Sequence, residues 1–374
     1  MKFTVERDVL ADGVAWVSRA LPLRPPVPVL AGVLIEATAT GVKLSSFDYE
    51  VSARGELDAT VEQEGTALVS GRLLKEISQA LPHKPVHFSH EGSKVHVTCG
   101  ASRFTLATMP ADQYPELPVL PDPSGVVDGA EFDQAVAQVS VAASKDETLP
   151  VLTGVRMEIE GDKISLLATD RYRLALREVS WNPRATDISA ITLLRAKTLS
   201  DTAKALGSAE VTLSLSTESD VNLVGFSSGG RVSTSLLMDG DYPEVRRLFP
   251  EESTSTAIVD TTELVEATRR VALVAERNSS VRLAFSEGQV TLDAGHSEDA
   301  QASEALEATL QGEDITVAFN PQYLLDGLNA LRAPFVRFGF THDTKPVEFV
   351  GLAEADAPVD SGFRYLLVPI RIAS

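Results

Sequence analysis

A short phrase occurs twice in this chain at one fixed offset. Pro28-Val29-Leu30-Ala31-Gly32-Val33 returns as Pro150-Val151-Leu152-Thr153-Gly154-Val155, 122 residues later. Val14-Ala15-Trp16-Val17-Ser18 returns as Val136-Ala137-Gln138-Val139-Ser140, and Ser46-Phe47-Asp48 is echoed by Ala168-Thr169-Asp170, both at the same 122. Three separated segments in one register mean that a folding unit has been copied. A third, fainter copy follows. Leu74, Leu199 and Leu324, each trailed by an Ala-Leu pair, step by 125, and Val155-Arg156-Met157 matches Val281-Arg282-Leu283 at 126. A period this long exceeds any solenoid repeat, so each copy is expected to be a domain with its own core. The expected domains are 1–121, 122–250 and 251–374. Proline-rich or polar joints lie at 118–125 and 250–256.

Each copy reads as β-α-β-β-β-β-α-β-β-β. In the first, a strand at 3–5 leads into a helix over 8–20. Asp8 is the expected N-cap, and Val9, Leu10, Val14 and Val17 the apolar stripe. Strands are expected at 32–37, 41–46, 50–57 and 66–70. A second helix over 71–81 carries Leu73, Leu74, Ile77 and Leu81 on one face, before strands at 86–89, 94–99 and 102–108. Strands joined by short turns, with two helices set apart, describe an α+β domain with helices packed on antiparallel sheet.

The residues offer no catalytic constellation. Gly225-Phe226-Ser227-Ser228-Gly229 fits a hydrolase nucleophile elbow, but 231–237 alternates like a strand where that motif needs a helix. The segment reads as a hairpin turn. His83, His87, His90 and His96 lie close together, yet Pro85 interrupts the only helical zinc spacing, so they read as surface residues. Asp48 and Asp170 read as capping carboxylates in turns. The single cysteine, Cys99, reads as a buried strand residue and excludes an internal disulfide. No metal or cofactor is expected. Met1–Arg7 lacks a secretory apolar core and no apolar run is long enough to span a membrane, so the expected location is the cytoplasm.

Net charge is −20, which by itself opposes nucleic-acid binding. The charge is uneven, however. Residues 298–314 hold six acids and no Lys or Arg. Basic residues gather instead around the expected helices. Arg72, Lys197 and Gln322 open the second helix of each copy, and Lys75 and Lys204 continue it. Arg19, Arg24, Lys145, Arg269, Arg270 and Arg277 lie on the first helices or their exits. Equivalent helices facing one way would make one basic surface suited to phosphates without base reading.

At this point the chain resembles the bacterial DNA sliding clamp family, the beta subunit of the replicative polymerase. The likeness spans the whole length. It rests on Met1-Lys2-Phe3-Thr4-Val5-Glu6-Arg7, Arg24-Pro25-Pro26-Val27-Pro28-Val29-Leu30, Ala168-Thr169-Asp170-Arg171-Tyr172-Arg173-Leu174-Ala175, Asp239-Gly240-Asp241-Tyr242-Pro243 and Tyr365-Leu366-Leu367-Val368-Pro369-Ile370-Arg371. The resemblance implies three similar clamp domains per chain and a head-to-tail homodimeric ring around duplex DNA. It implies DNA contacts at Arg24, Arg72 and Lys197, and an interface pairing Phe104 and Leu106 with Leu273 of the other chain. It also implies a pocket for short linear motifs of the polymerase, the clamp loader, translesion polymerases and repair proteins. That pocket would comprise Thr169, Tyr172, Arg173, Leu174, Pro243, Arg247, Leu248, Asn320, Tyr323, Val368, Pro369, Ile370 and Arg371. Val368 and Ile370 are expected to share one face of the last strand, with Arg173 or Arg247 at the rim. Three features depart from some members: Pro150 and Val151 in place of aromatics, Val368 and Ile370 in place of methionines, and Ala373-Ser374 beyond the usual end. The rival readings are a peptide-binding repeat scaffold without DNA and a hydrolase using Ser227.

Overall fold

The computed structural model describes residues 1–216, 222–275, 280–295, 300–359 and 362–371. Arg277, His296 and the Ala373-Ser374 extension lie outside the described residues. The helices are α1 (Arg7–Val17), α2 (Gly71–Ala80), α3 (Gly129–Ser140), α4 (Ala196–Leu206), α5 (Thr261–Val271) and α6 (Pro321–Leu331). Within 2–109, 123–236 and 255–367 the order of elements is the same: one strand, a helix, five strands, a helix, three strands. The sequence reading lacks one strand of the five. Its members, Ala59–Gln63, Asn182–Pro183 and Thr309–Gln311, are short and lie at sheet edges. They bury little, so they carry no apolar alternation to be read.

The chain forms two compact units. The first holds residues 1–130, 182–185 and 201–237, and the second holds 131–181, 186–200 and 238–374. In the first unit, fourteen antiparallel strands make one continuous sheet. The fourth strand of copy one (Val51–Leu57) pairs in it with the ninth strand of copy two (Arg231–Leu236), from Val51↔Ser235 to Gly55↔Arg231. The second unit has a nine-stranded and a four-stranded sheet. There the fourth strand of copy two (Arg173–Ser180) pairs with the ninth of copy three (Phe363–Leu367), from Arg173↔Leu367 to Arg177↔Phe363. Successive copies are thus stitched by one kind of seam.

Local chemistry explains the helices. α1 buries Leu10, Val14 and Val17 as expected, but Val9 is exposed. Trp16 takes the remaining inner position, and its indole N–H donates to the Arg54 carbonyl at 2.7 Å. Asp8 is not the cap. It lies in the first turn, where a carboxylate still favours the positive helix end, and Glu6 precedes the helix without a side-chain bond. On α2, Leu74 is buried and Leu73 is exposed, because the inner stripe is narrower than the apolar one. In α6, Gly327 lies under the Tyr365 ring. A Cβ there would stand 2.4 Å from the ring, so the missing side chain admits the tyrosine. Cys99 is buried on its strand, and Ser227 and Ser228 lead into a Gly229-Gly230 turn between two strands, both glycines at positive φ.

Candidate functional site

The site begins at a turn of the second unit. The strand Lys163–Thr169 returns as Arg173–Ser180 through Asp170-Arg171-Tyr172. The Asp170 carboxylate accepts the N–H groups of Tyr172 and Arg173 at 3.0 and 3.1 Å, and the Thr169 hydroxyl donates to the Arg173 carbonyl at 2.7 Å. This holds Arg171 at φ 79° and presents Tyr172 outward. The copy-one equivalents do the same. Asp48 accepts the N–H groups of Glu50 and Val51, and Tyr49 sits at φ 74°. Both aspartates are therefore turn caps.

Arg173 does not reach a rim. Its side chain is buried, donating from Nε to Asp170 at 2.9 Å and from Nη1 to Asp326 of α6 at 2.6 Å, with its guanidinium 4.2 Å from the centre of the Tyr323 ring. Burial opposes its charge most strongly. The Asp326 and Asp170 carboxylates act against that cost and favour the charged guanidinium. Burial pushes the Tyr365 hydroxyl up, so it stays protonated and donates to the Tyr323 carbonyl at 2.9 Å. Asn320 is the N-cap of α6, accepting from Gln322 and Tyr323. Residues 320, 323 and 173 thus brace one another.

The second wall is the joint after Tyr242. Val245 and Phe249 turn inward to a cluster with Leu152, Leu167, Leu174, Leu176, Leu193, Tyr242 and Leu366. Pro243, Arg247 and Leu248 turn outward, Leu248 being 53% exposed. A cleft of about 810 Å³ runs beside this joint. Of the expected residues it takes in Pro243 and Arg247, and it adds Arg156, Glu158, Leu167 and Arg246. Arg246 is held by Glu178 at 3.3 Å and Glu158 at 3.5 Å. The sequence reading missed these ion pairs, since Glu158 and Glu178 lie on separate strands and Arg246 on the joint, with no motif linking them.

The third wall is the tail. The last strand ends at Leu367, so Val368, Pro369, Ile370 and Arg371 are not strand residues as expected. The reason is visible in the hydrogen bonds. Val368 N–H donates to Tyr172 O at 2.8 Å, and Ile370 N–H to Ala318 O at 2.7 Å, so the tail passes from one sheet to the other. Val368, Ile370 and Arg371 stay exposed, and Pro369 is buried. Leu174, the expected anchor contact, is buried and faces Leu366 of the last strand. Of the expected pocket residues, Tyr172, Leu248, Val368 and Ile370 are the exposed large apolar ones.

Other expected residues are spread over both units. In the first unit Arg24 and Arg72 are exposed, and Arg72 meets Glu76 at 3.0 Å. Phe104 is exposed there, but Leu106, two residues on, is buried by its own sheet. In the second, Lys197 is exposed at the start of α4, and Leu273 is 84% exposed on the turn after α5. Arg270 is engaged by Glu266 and Glu304, which takes it out of the free basic set. Among the described residues no cluster of three or more His, Cys, Asp or Glu could hold a metal, and no helix is long and apolar enough to cross a membrane.

Three family descriptions match along the chain: DNA polymerase III beta subunit N-terminal domain over 1–118, central domain over 126–244 and C-terminal domain over 246–371. The chain is 53% identical to the beta sliding clamp of Streptomyces coelicolor over 375 residues, covering 100% of each. It is 58% identical to that of Micrococcus luteus over 312 residues, 83% of this chain and 100% of the relative. Among solved structures, the Bacillus subtilis DNA polymerase sliding clamp superimposes with a TM-score of 0.91 at 28% identity, over 100% of both chains. A Pseudomonas aeruginosa sliding clamp bound to griselimycin gives 0.91 at 25% identity, also over 100% of both.

Proposed function

Because the chain belongs to the DNA polymerase III beta subunit family, we propose that it acts as a non-enzymatic sliding clamp in the cytoplasm. Two copies, each of three domains (1–121, 122–250 and 251–374), close head to tail around duplex DNA. The ring tethers the replicative polymerase, the clamp loader, translesion polymerases and repair proteins. The observation that carries the reading is the repeated seam. The fourth strand of copy one and the fourth of copy two are each paired with the ninth strand of the next copy. One member of each kind is left over. Among the described residues, the ninth strand of copy one (Ser102–Met109) is unpaired along residues 102–107 on one edge, and the fourth strand of copy three (Ala302–Glu307) pairs only with Gln289–Ala294. Open edges recruit strands, and a heterologous contact of this kind closes into a ring when its rotation suits.

The two existing seams share one register, so the third is specified. Ala53 faces Ser233, and Ala175 faces Tyr365. Carrying the repeat forward sets Ala302 opposite Phe104 of a second copy, and Gln301 opposite Thr105. Directly opposed residues in antiparallel strands have Cβ atoms about 4.5–5.5 Å apart, near disulfide reach. Thr105→Cys with Gln301→Cys is expected to cross-link into a covalent dimer under mild oxidation, and Thr105→Cys with Ser303→Cys is not. Cross-linking of the second pair alone would place the strands in another register.

DNA is held by topology, with few phosphate contacts. Binding to linear duplex is expected to be weak and sequence-independent, each of Arg24, Arg72 and Lys197 contributing about one unit of salt slope. Reversing all three charges should release loaded clamps from circular DNA faster at physiological salt. Equal retention would remove these residues from the DNA path.

The partner pocket is the rim of Tyr172, Leu248, Val368 and Ile370 over Leu174, with Pro243 and Arg247 beside it and the Thr169, Arg173, Asn320, Tyr323, Pro369 and Arg371 framework behind. Peptides with Leu or Phe anchors suit it. Leu248→Ala should weaken such a peptide by about 1–2 kcal/mol in calorimetry and leave the dimer intact. Unchanged affinity would move the site elsewhere.

A further inference from the structure

The loop that follows the first helix differs in chemistry from its own copy. At the offset of 122, Leu23-Arg24-Pro25-Pro26 corresponds to Lys145-Asp146-Glu147-Thr148. The second loop is polar and satisfies itself. Its Asp146 carboxylate accepts the Thr148 N–H at 2.9 Å and the Thr148 hydroxyl at 2.7 Å, and Leu149 packs on the apolar cluster of the second unit. The first loop does neither. Residues 23–28, Leu23-Arg24-Pro25-Pro26-Val27-Pro28, are exposed one after another, and all but the arginine are apolar. Leu23 is 101% exposed. An exposed apolar run of this kind offers surface that a partner could remove from water.

The tip is rooted firmly on both sides. Val29 and Leu30 beyond it are buried in a cluster with Leu68 and Tyr114. Before it, Leu21 lies against Gly71, where an added Cβ would stand 2.5 Å from the Leu21 Cδ1. Gly71 opens α2, so the root of the loop sits one residue from Arg72. Arg19 donates to the Asp201 carbonyl of α4 at 2.9 Å. Pro22, Pro25, Pro26 and Pro28 fix their own φ angles, which leaves little ordering to be lost on contact. Charge narrows the choice of partner. The chain carries 53 acids, yet residues 13–35 hold none, and they hold Arg19 and Arg24. An apolar tip around one cation in an acid-free stretch suits a polyanion that also has apolar walls. Duplex DNA has both, since its phosphates border deoxyribose faces.

We propose that the 23–28 tip is an apolar contact to duplex DNA, with Leu23 laid on the deoxyribose wall of a groove while Arg24 meets a phosphate. The inference rests on the DNA path described above. Sugars repeat identically at every step, whereas base edges differ and only thymine offers a methyl group in the major groove. A leucine on sugars therefore adds affinity without adding sequence preference, as a sliding ring requires. The tip also supplies attraction that salt does not screen, in a chain whose net charge of −20 opposes phosphate binding.

The test is fluorescence anisotropy of a labelled linear duplex with the full-length dimer across a salt series. Leu23→Ser is expected to bind about three to ten times more weakly at every salt concentration with the parent's salt slope, because it removes apolar contact and no charge. Leu23→Met should bind as the parent does. Arg24→Ser should instead lower the slope by about one unit. Leu23 is fully exposed in the single chain, so its variants are expected to keep the parent's urea midpoint. Parental affinity in Leu23→Ser, beside an Arg24→Ser that loses slope, overturns the inference and leaves the DNA path standing. A slope lost in Leu23→Ser also overturns it, since the leucine would then act only by placing Arg24. If neither variant changes binding, the loop leaves the DNA path, and the reading of Arg24 falls together with the inference.

Discussion

Replacing Leu273 with alanine is expected to open the proposed ring, shifting the dimer toward monomer. Leu273 is 84% exposed in the single chain, on the turn Ala272–Val274 that ends the first helix of copy three. A leucine so exposed has apolar surface that a second copy could remove from water. If the proposed seam buries it as a core leucine is buried, its truncation costs about 2–5 kcal/mol. That corresponds to roughly one and a half to three and a half decades in the dimer constant. Phe104→Ala should act in the same direction, since Phe104 is the exposed apolar residue on the free edge. Leu106→Ala should instead lower the stability of the first unit, because Leu106 is already buried there. Analytical ultracentrifugation across dilutions separates these outcomes. Identical masses for Leu273→Ala and the parent at high dilution would discard this residue from the interface.

The second large effect is expected at Arg173. Its guanidinium is spent within the chain, on Asp170, Asp326 and the Tyr323 ring. Arg173→Ala leaves Asp170 buried beside a void with no counter-charge, and removal of one partner from a buried pair costs about 3–5 kcal/mol. Unfolding of the second unit in urea should therefore come much earlier, with peptide binding lost as a consequence. Arg173→Lys should rescue little. One ammonium cannot reach two carboxylates from two fixed directions and also lie flat on a ring. An Arg173→Ala protein with the parent's urea midpoint and weaker peptide binding would return Arg173 to the rim, where the sequence reading had set it.

Parts of the site were legible before folding was known, and others were not. Asp48 and Asp170 were readable as turn caps, because a short carboxylate before a strand return satisfies local N–H groups whatever surrounds it. Leu174 was readable as a pocket residue only through the family likeness. Nothing local says that it would be buried against Leu366, which arrives from the far end of the chain. The tail was misread as strand because Val368-Pro369-Ile370 alternates suitably. Its path is set instead by two long-range acceptors, Tyr172 O and Ala318 O. Arg173 was misassigned for a related reason. Its charge is evident in sequence, but Asp326, its partner, lies on a helix 153 residues away.

The sequence by itself determined the threefold repetition, the α+β class, the helices and most strands, since these follow from offsets and from apolar periods of 3.6 and 2 that need only neighbours to be read. Only the tertiary structure decided which copies share a sheet, which edges remain open, and that one seam is lined by leucines and the other by a serine and a threonine. Those outcomes depend on residues more than a hundred positions apart meeting across strand seams. Pairing of that kind is set by the packing of whole units, and no local pattern along the chain encodes it.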